Sequence, residues 1–351
     1  AAAVFTDFGD LQIGVASFLC CILLCFLLRV FNLLRFPGAE SIETFSRRNF
    51  ELIEVVLKPN SVLHGMTLME MRKKYPASYL VGIVQRDDQV YIPGGSFRLQ
   101  SGDRIGITAT ADEIEKLFKM LGVMENRAKN VMIVGAGRYA HYLTRKLLNT
   151  GASVTVIDKD KAVCQSFAEA NPEAVVICGD AASEELLMEE GLMSADAFVT
   201  LTGHDQENIL LSYLASSKGV KKIITKINRE EFYSMAEKLG LDCLVSPKNM
   251  ISDILTRYAR ALAGSEGSQM ETLYNLMGGK AEAVEFIVRE EFPYQNTPLK
   301  ELKLKKNTLF AGIIRGRQVI IPAGFDHIEA GDRVVILSAG RTISELADIL
   351  E

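Results

Sequence analysis

The sequence predicts an α/β protein in which a Rossmann-like parallel-sheet domain is flanked by two small α+β modules. Three observations carry that prediction. First, Val131-Met132-Ile133-Val134 runs into Gly135-Ala136-Gly137-Arg138-Tyr139-Ala140 and a helical stretch from His141 to Leu148, and Val154-Thr155-Val156-Ile157 then ends on Asp158, about 20 residues after the glycines. Second, apolar strands go on alternating with helical stretches as far as Val245. Third, two segments on either side of this region read alike.

At the front, Ile13 to Leu28 carries no charge and spans about 24 Å as a helix at roughly 1.5 Å per residue. A bilayer core needs about 30 Å. Extension past Arg29 to Phe36 covers it, with Arg29 and Arg35 reaching toward the headgroups. Arg29, Arg35, Arg47 and Arg48 then place the following chain in the cytoplasm. Asp7 and Asp10 stand where a signal peptide carries positive charge, which argues against one. Three readings stay open for residues 13–35: a helix buried between domains or subunits, a membrane contact, or an atypical N-terminal sequence.

The first copy of the repeat occupies residues 49–124 and contains Ile53-Glu54-Val55-Val56, Leu80 to Val84, Gln89 to Gly95 and Gly102-Asp103-Arg104-Ile105. The second occupies 281–351 and contains Val284 to Val288, Phe310 to Ile314, Gln318 to Gly324 and Gly331-Asp332-Arg333-Val334. Each is expected to hold four short strands, a helix between the first two, and a closing helix (Glu113 to Leu121 and Thr342 to Leu350). Pro93-Gly94-Gly95 and Pro322-Ala323-Gly324 stop a strand, because proline cannot donate to a ladder and glycine turns the chain. The Gly-Asp-Arg triplets read as turns, with a small-ligand role for Asp103 or Asp332 as the lesser alternative.

Residues 129–248 form the central domain. Continuous Val/Ile runs (Val131–Val134, Val154–Ile157, Val175–Cys178, Ala197–Leu201, Ile223–Ile227 and Cys243–Val245) indicate a parallel sheet covered on both faces. Such sheets bind ligands at the carboxyl ends of their strands, which gathers Gly135–Tyr139, Asp158, Asp180, Leu201-Thr202 and Lys226 on one rim. Gly135 permits the tight turn, Gly137 lets the backbone approach a pyrophosphate, and the small Ala140 lets the helix pack close. Free N–H groups at the helix start attract phosphate. Asp158 suits the two ribose hydroxyls and repels a 2′-phosphate, so NAD(H) is expected rather than NADP(H). Residues 249–280 supply a crossover helix, with Ile251, Ile254, Leu255, Tyr258 and Leu262 on one stripe.

Composition narrows the function classes. The net charge is −5 and no long Lys/Arg block occurs, so nucleic acid is not the expected partner. Cys20, Cys21 and Cys25 lie in the apolar run while Cys164, Cys178 and Cys243 are scattered. None has zinc-site spacing, and the expectation is buried, reduced thiols in a cytoplasmic protein, with no metal. An NAD-dependent oxidoreductase is the rival reading. Hydride transfer needs an acid/base beside the nicotinamide. His204-Asp205 is the one candidate pair, His141 lies a turn into the first helix, and no other pattern supports catalysis, so no catalytic residue is expected.

Val134-Gly135-Ala136-Gly137-Arg138, Cys178-Gly179-Asp180-Ala181-Ala182, Ala195 to Thr202, Asp205-Gln206-Glu207-Asn208 and Thr225-Lys226-Ile227-Asn228-Arg229 resemble the N-terminal domain of the RCK (regulator of potassium conductance) family. The flanking repeats resemble its C-terminal domain. Their tandem order resembles the peripheral regulatory subunits of bacterial Trk potassium-uptake systems, from about Phe36 to Glu351. The resemblance implies a homo-oligomeric ring docked under a membrane potassium transporter at the inner face of the plasma membrane. It implies NAD(H), and in relatives ATP or ADP, at the strand rim. Carried over, Gly135, Ala136, Gly137, Arg138 and Tyr139 contact the pyrophosphate and Asp158 the adenosine ribose. Asp180 with Leu201 and Thr202 takes the adenine and central region, and Lys226 the phosphates. Arg138 is placed to reach the phosphates of a nucleotide bound across an interface. The front departs from the pattern. Residues 1–48 have room only for the last crossover helix of a further dinucleotide domain, so a truncated or half-sited variant is expected.

Overall fold

The computed structural model describes residues 23–36, 38–45, 50–122, 128–241, 243–263 and 268–351. They fall into two compact units: one joins the front helix to the chain from 125 to 251, the other gathers residues 38–124 with 252–351.

In chain order, residues 23–35 form α1. The first module follows as β1 (Ser41–Phe45), β2 (Phe50–Val56), α2 (Leu68–Lys74), β3 (Tyr79–Arg86), β4 (Gln89–Tyr91), β5 (Arg104–Thr110) and α3 (Ala111–Leu121). The central domain runs β6 (Asn130–Val134), α4 (Arg138–Leu148), β7 (Ser153–Asp158), α5 (Lys161–Ala170), β8 (Val175–Cys178), α6 (Glu184–Glu189), β9 (Ala197–Thr200), α7 (Asp205–Ser217), β10 (Lys222–Lys226), α8 (Tyr233–Lys238) and β11 (Leu244–Val245). Then come α9 (Pro247–Ala263) and the second module: β12 (Ser268–Leu276), β13 (Ala281–Val288), β14 (Thr308–Arg315), β15 (Gln318–Ile320) and β16 (Arg333–Ala339).

The central sheet has the order β11-β10-β9-β6-β7-β8, with every pair parallel. This is the doubly wound Rossmann arrangement, in which the strand order reverses between β6 and β9 and opens a crevice at their carboxyl ends. Burial follows the sequence: Ile133, Val156, Val199 and Ile224 are fully buried, and Ala140 is fully buried where α4 meets the sheet.

The described part of the apolar front segment packs in this same unit. Phe26, Val30, Leu33 and Leu34 are at most 2% exposed, while Leu24 and Leu28 face outward. Phe26 meets the Tyr139 ring at 4.4 Å, and Phe31 lies under Lys146 at 4.4 Å. Burying each such side chain stabilises by about 1.5–3 kcal/mol, so α1 is held to α4 by its own apolar face. The rest of the segment, residues 1–22, lies outside the described residues. Among the described residues no helix is long and apolar enough to cross a membrane.

The repeated modules share one plan but have five antiparallel strands each rather than the expected four, in the orders β1-β2-β5-β3-β4 and β12-β13-β16-β14-β15. The added strands, β1 and β12, lie at the sheet edges and pair with β2 and β13. The second copy also lacks the closing helix expected over Thr342–Leu350; only Leu346–Ile349 turn, as a 3-10 helix. The reason is local. Asp348 Oδ2 accepts from Ser344 N and Glu345 N, and Leu350 bridges to Leu304, which holds the end of the chain extended. In the first copy the closing helix forms, with Thr110 accepting from Glu113 N and Gly122 ending it at a φ of 69°.

The two modules dock through their sheets. Thr108 Oγ1 donates to Ala311 O at 3.1 Å, and Tyr274 OH donates to Thr44 O at 2.8 Å. A shared core joins Phe45, Phe50 and Ile83 to Ala283, Val335 and Leu337. The Gly-Asp-Arg triplets are turns. Asp103 takes Arg86 Nε at 2.7 Å and Gln100 N at 2.8 Å, and Asp332 takes Arg315 Nη2 at 2.8 Å and Glu329 N at 2.9 Å. These carboxylates are 1% and 2% exposed and are satisfied by protein donors, so the small-ligand alternative for them falls.

Candidate functional site

The rim is built by extending the parallel ladder one residue past each strand. Gly135 N donates to Ile157 O, Leu201 N to Val134 O, Gly179 N to Asp158 O and Ile227 N to Val245 O, at 2.8–3.0 Å. Gly135 has a φ of 98°, and a Cβ there would stand 3.0 Å from Leu201 C and Thr202 N. Only glycine fits that turn, for both reasons. Gly137 differs: it is the N-cap of α4 with a φ of −77°, and a Cβ built on it meets nothing within 4 Å. The space over the Gly137 Cα is open.

Among the described residues, the positive end of α4 has no protein partner of the usual kind. No side chain caps Gly137 and no acid lies in the first turn. By contrast α3 starts with Asp112 and Glu113, α6 with Glu184 and Glu185, α7 with Asp205 and Glu207, and Asp160 caps α5 through Ala162 N and Val163 N. A helix start leaves free N–H groups and a partial positive charge, so α4 presents both to the crevice.

Asp158 stands beside this turn. Its Oδ2 accepts from Ala136 N at 2.8 Å and its Oδ1 from Asp160 N at 3.0 Å, which fixes the carboxylate against the glycine turn. On the other side of the crevice, Lys226 is only 8% exposed. Its Nζ donates to Thr202 O at 3.1 Å and sits 5.3 Å from the Tyr139 ring centroid. Burial pushes its pKa down, with the Asp205 carboxylate partly opposing the shift. Asn208 staples the two strand ends: its Oδ1 accepts from Thr202 N at 3.1 Å and Thr202 Oγ1 at 2.7 Å, and its Nδ2 donates to Lys226 O at 2.9 Å.

Of the rim residues expected from the sequence, Gly135, Ala136, Tyr139, Asp158, Leu201, Thr202 and Lys226 are thus joined by direct contacts. Leu201 contributes main chain, since its side chain is buried. Gly137 and Arg138 open α4 and are exposed. Asp180 is exposed and its Oδ1 accepts from Ala182 N in its own turn, so its carboxylate is set apart from the rest. Asp205 and Asn208 were missed as positioning residues, although both stand in the motif that carried the resemblance. The signal was an acid and an amide one helical turn apart at the start of a helix that follows a strand end.

The candidate acid/base pair is taken apart. Asp205 is 4% exposed and accepts from Asn228 N, Asn228 Nδ2 and Arg229 N, each at 2.9 Å. The His204 side chain points outward, 71% exposed, with Nδ1 at 3.4 Å from Glu207. His141 faces Asn171 and Phe167. The expectation of buried thiols also needs correction. Cys164 and Cys243 are buried, but Cys178 is exposed, because it is the last residue of an edge strand.

Comparison with known proteins agrees with this layout. The TrkA-N domain model matches residues 131–247 and the TrkA-C domain model matches 52–122 and 283–351, between them most of the chain. The Trk system potassium uptake protein TrkA homolog 1 of Methanosarcina mazei is 28% identical over 337 residues, 95% of this chain and 73% of the relative. The Trk system potassium uptake protein TrkA of Haemophilus influenzae is 28% identical over 325 residues, 91% of this chain and 69% of the relative. Among solved structures, the GsuK channel superposes with a TM-score of 0.50 at 18% identity, over 89% of this chain and 55% of the channel chain. That likeness concerns the fold.

Proposed function

The chain belongs to the family of proteins built from TrkA-N and TrkA-C domains, and from that premise we propose that it is a nucleotide-gated regulatory subunit of a membrane potassium-uptake transporter. It works as a homo-oligomer at the cytoplasmic face of the plasma membrane. One observation carries the reading: the uncapped, acid-free start of α4 faces the crevice next to a buried lysine whose hydrogen bond goes to a backbone carbonyl. A polyanion supplies what both lack.

NAD(H) fits this donor set, and ATP or ADP shares its phosphate chemistry. The backbone of Gly135 to Tyr139 holds the pyrophosphate and Lys226 adds a charge to it. Asp158 accepts from the adenosine ribose hydroxyls. Asp180 with Leu201-Thr202 borders the adenine and central region, and Arg138 is free to reach phosphates across a subunit interface. The one acid/base pair weighed for the rival reading, an NAD-dependent oxidoreductase, is not assembled, since Asp205 accepts from three N–H donors and His204 points to solvent. The nucleotide acts here by its differential affinity for two conformations, which is the only way a ligand shifts an equilibrium.

NADH titration tests the assignment. Asp158→Ala removes the ribose acceptor and is expected to weaken binding by about 1–3 kcal/mol. The chain has no tryptophan, so NADH fluorescence is read without that donor. NADH is expected back unchanged after prolonged incubation. Equal affinity in wild type and Asp158→Ala contradicts the assignment, and steady NADH consumption favours the enzyme.

Lys226 gives a second test. Burial disfavours its charged form in the free protein, whereas bound phosphate favours it. Affinity is therefore full while Lys226 is charged and falls as pH rises through its lowered pKa, short of the ordinary lysine range. Lys226→Arg stays charged throughout and is expected to flatten that fall. Parallel pH profiles for the two proteins contradict a phosphate role for Lys226.

A further inference from the structure

Two thiols stand together under the Asp158 end of the sheet. Cys178 ends β8 directly opposite Asp158 in the parallel register of β7 and β8, and it is exposed. Cys164 on α5 is buried; its Sγ donates to Asp158 O at 3.2 Å and lies 3.8 Å from Ile177 O, the residue before Cys178. The strand register and these two Cys164 contacts bring the two cysteines side by side at the end of the sheet. The nucleotide reading uses neither sulfur.

We propose that Cys164 and Cys178 form a reversible disulfide that loosens the Asp158 end of the nucleotide site. The oxidant is a peroxide. The exposed Cys178 reacts first: its thiolate attacks a peroxide oxygen, an S–O bond forms, the O–O bond breaks, and for hydrogen peroxide the hydroxide leaves as water after taking a proton. The buried Cys164 then attacks the Cys178 sulfur. An S–S bond forms, the S–O bond breaks, and the second hydroxide leaves as water with the Cys164 proton. Two thiols and one hydrogen peroxide thus give one disulfide and two waters. The sulfurs lose two electrons and the peroxide gains them. Burial and the neighbouring Cys178 push the Cys164 thiol up to about 11, which keeps it protonated and leaves the first attack to Cys178.

The disulfide has a structural consequence. The two sulfurs must close to about 2.05 Å, and Cys164 gives up its S–H bond to Asp158 O. Asp158 O also receives Gly179 N, and the Asp158 carboxylate holds Ala136 N, so the movement reaches the glycine turn directly. The effect on nucleotide rests on the function proposed above; the disulfide does not.

The experiment treats the whole reduced chain with hydrogen peroxide, alkylates free thiols and digests with a glutamate-specific protease. Glu169 and Glu173 lie between the two cysteines, so cleavage there separates them unless they are bonded. The expected result is joined fragments that dithiothreitol separates, and NADH binding at least about fivefold weaker in the oxidised protein, the scale of one lost hydrogen bond. Cys164→Ala is expected to trap Cys178 as a sulfenic acid reactive to a dimedone-type probe, and Cys178→Ala to abolish the joined product. Fragments that stay apart while Cys178 proceeds to sulfinic acid overturn the proposal. Joined fragments with unchanged NADH affinity, in a protein whose Asp158→Ala variant loses affinity, overturn its coupling to the site. Joined fragments in a protein that binds no NADH in either state uphold the disulfide and refute the nucleotide reading instead.

Discussion

Gly137→Val is expected to cut nucleotide affinity by at least about 100-fold, roughly 2.7 kcal/mol, in a protein that still folds. The asymmetry follows from where the new atoms go. Gly137 has an extended backbone at φ −77° and ψ −175°, which valine adopts without strain, and the added Cβ meets no protein atom within 4 Å. The fold loses only the difference between glycine and valine at an N-cap, about 1 kcal/mol. The ligand loses the backbone it must approach. Gly135→Ala makes the contrasting control: its φ of 98° and a Cβ 3.0 Å from the Leu201 and Thr202 backbone put the damage into the protein itself. Calorimetry with NADH, paired with urea unfolding, separates the two variants. Undiminished binding by Gly137→Val sinks the pyrophosphate assignment of this turn.

The second large effect is on stability. Asp205→Ala is expected to destabilise the central domain by on the order of 4 kcal/mol, because three buried N–H donors lose one acceptor group and each unsatisfied donor costs about 1–3 kcal/mol. The donors are Asn228 N, Asn228 Nδ2 and Arg229 N, so the loss releases the loop after β10 from the start of α7. It also removes the carboxylate that supports the charged form of Lys226. Urea unfolding reads the first consequence directly. A change under about 1 kcal/mol would mean that solvent replaces the carboxylate and that the loop is not held from this point.

How much of this was legible in the sequence depended on the range of the forces involved. The glycine turn and Asp158 could be read because their constraint is local: a strand end, a positive φ at Gly135 and a helix start lie within a few residues. Parallel strands showed as runs such as Val154 to Ile157 because both faces are covered, and burial then leaves no alternation to hide them. The wall of the crevice was not legible. Tyr139 over Lys226 and Phe26 on Tyr139 are tertiary contacts between segments far apart in sequence. Thr342 to Leu350 has helical spacing, yet side-chain hydrogen bonds to Asp348 and a bridge to Leu304 outweigh it. Local propensity gave way to tertiary pairing there. The same limit explains Asp205 and His204. Adjacency in sequence suggested an acid/base pair, whereas the fold turned one side chain inward to three N–H groups and the other out to solvent.

Potassium uptake in a strain lacking its own regulatory subunit tests the central claim most directly, that a nucleotide held on the strand rim controls transport without being consumed. With the transporter present, expression of this chain is expected to restore uptake, and the Gly137→Val chain, folded and expressed to the same level, is expected to fail. Uptake restored equally by both chains would contradict the account and move control away from the nucleotide rim.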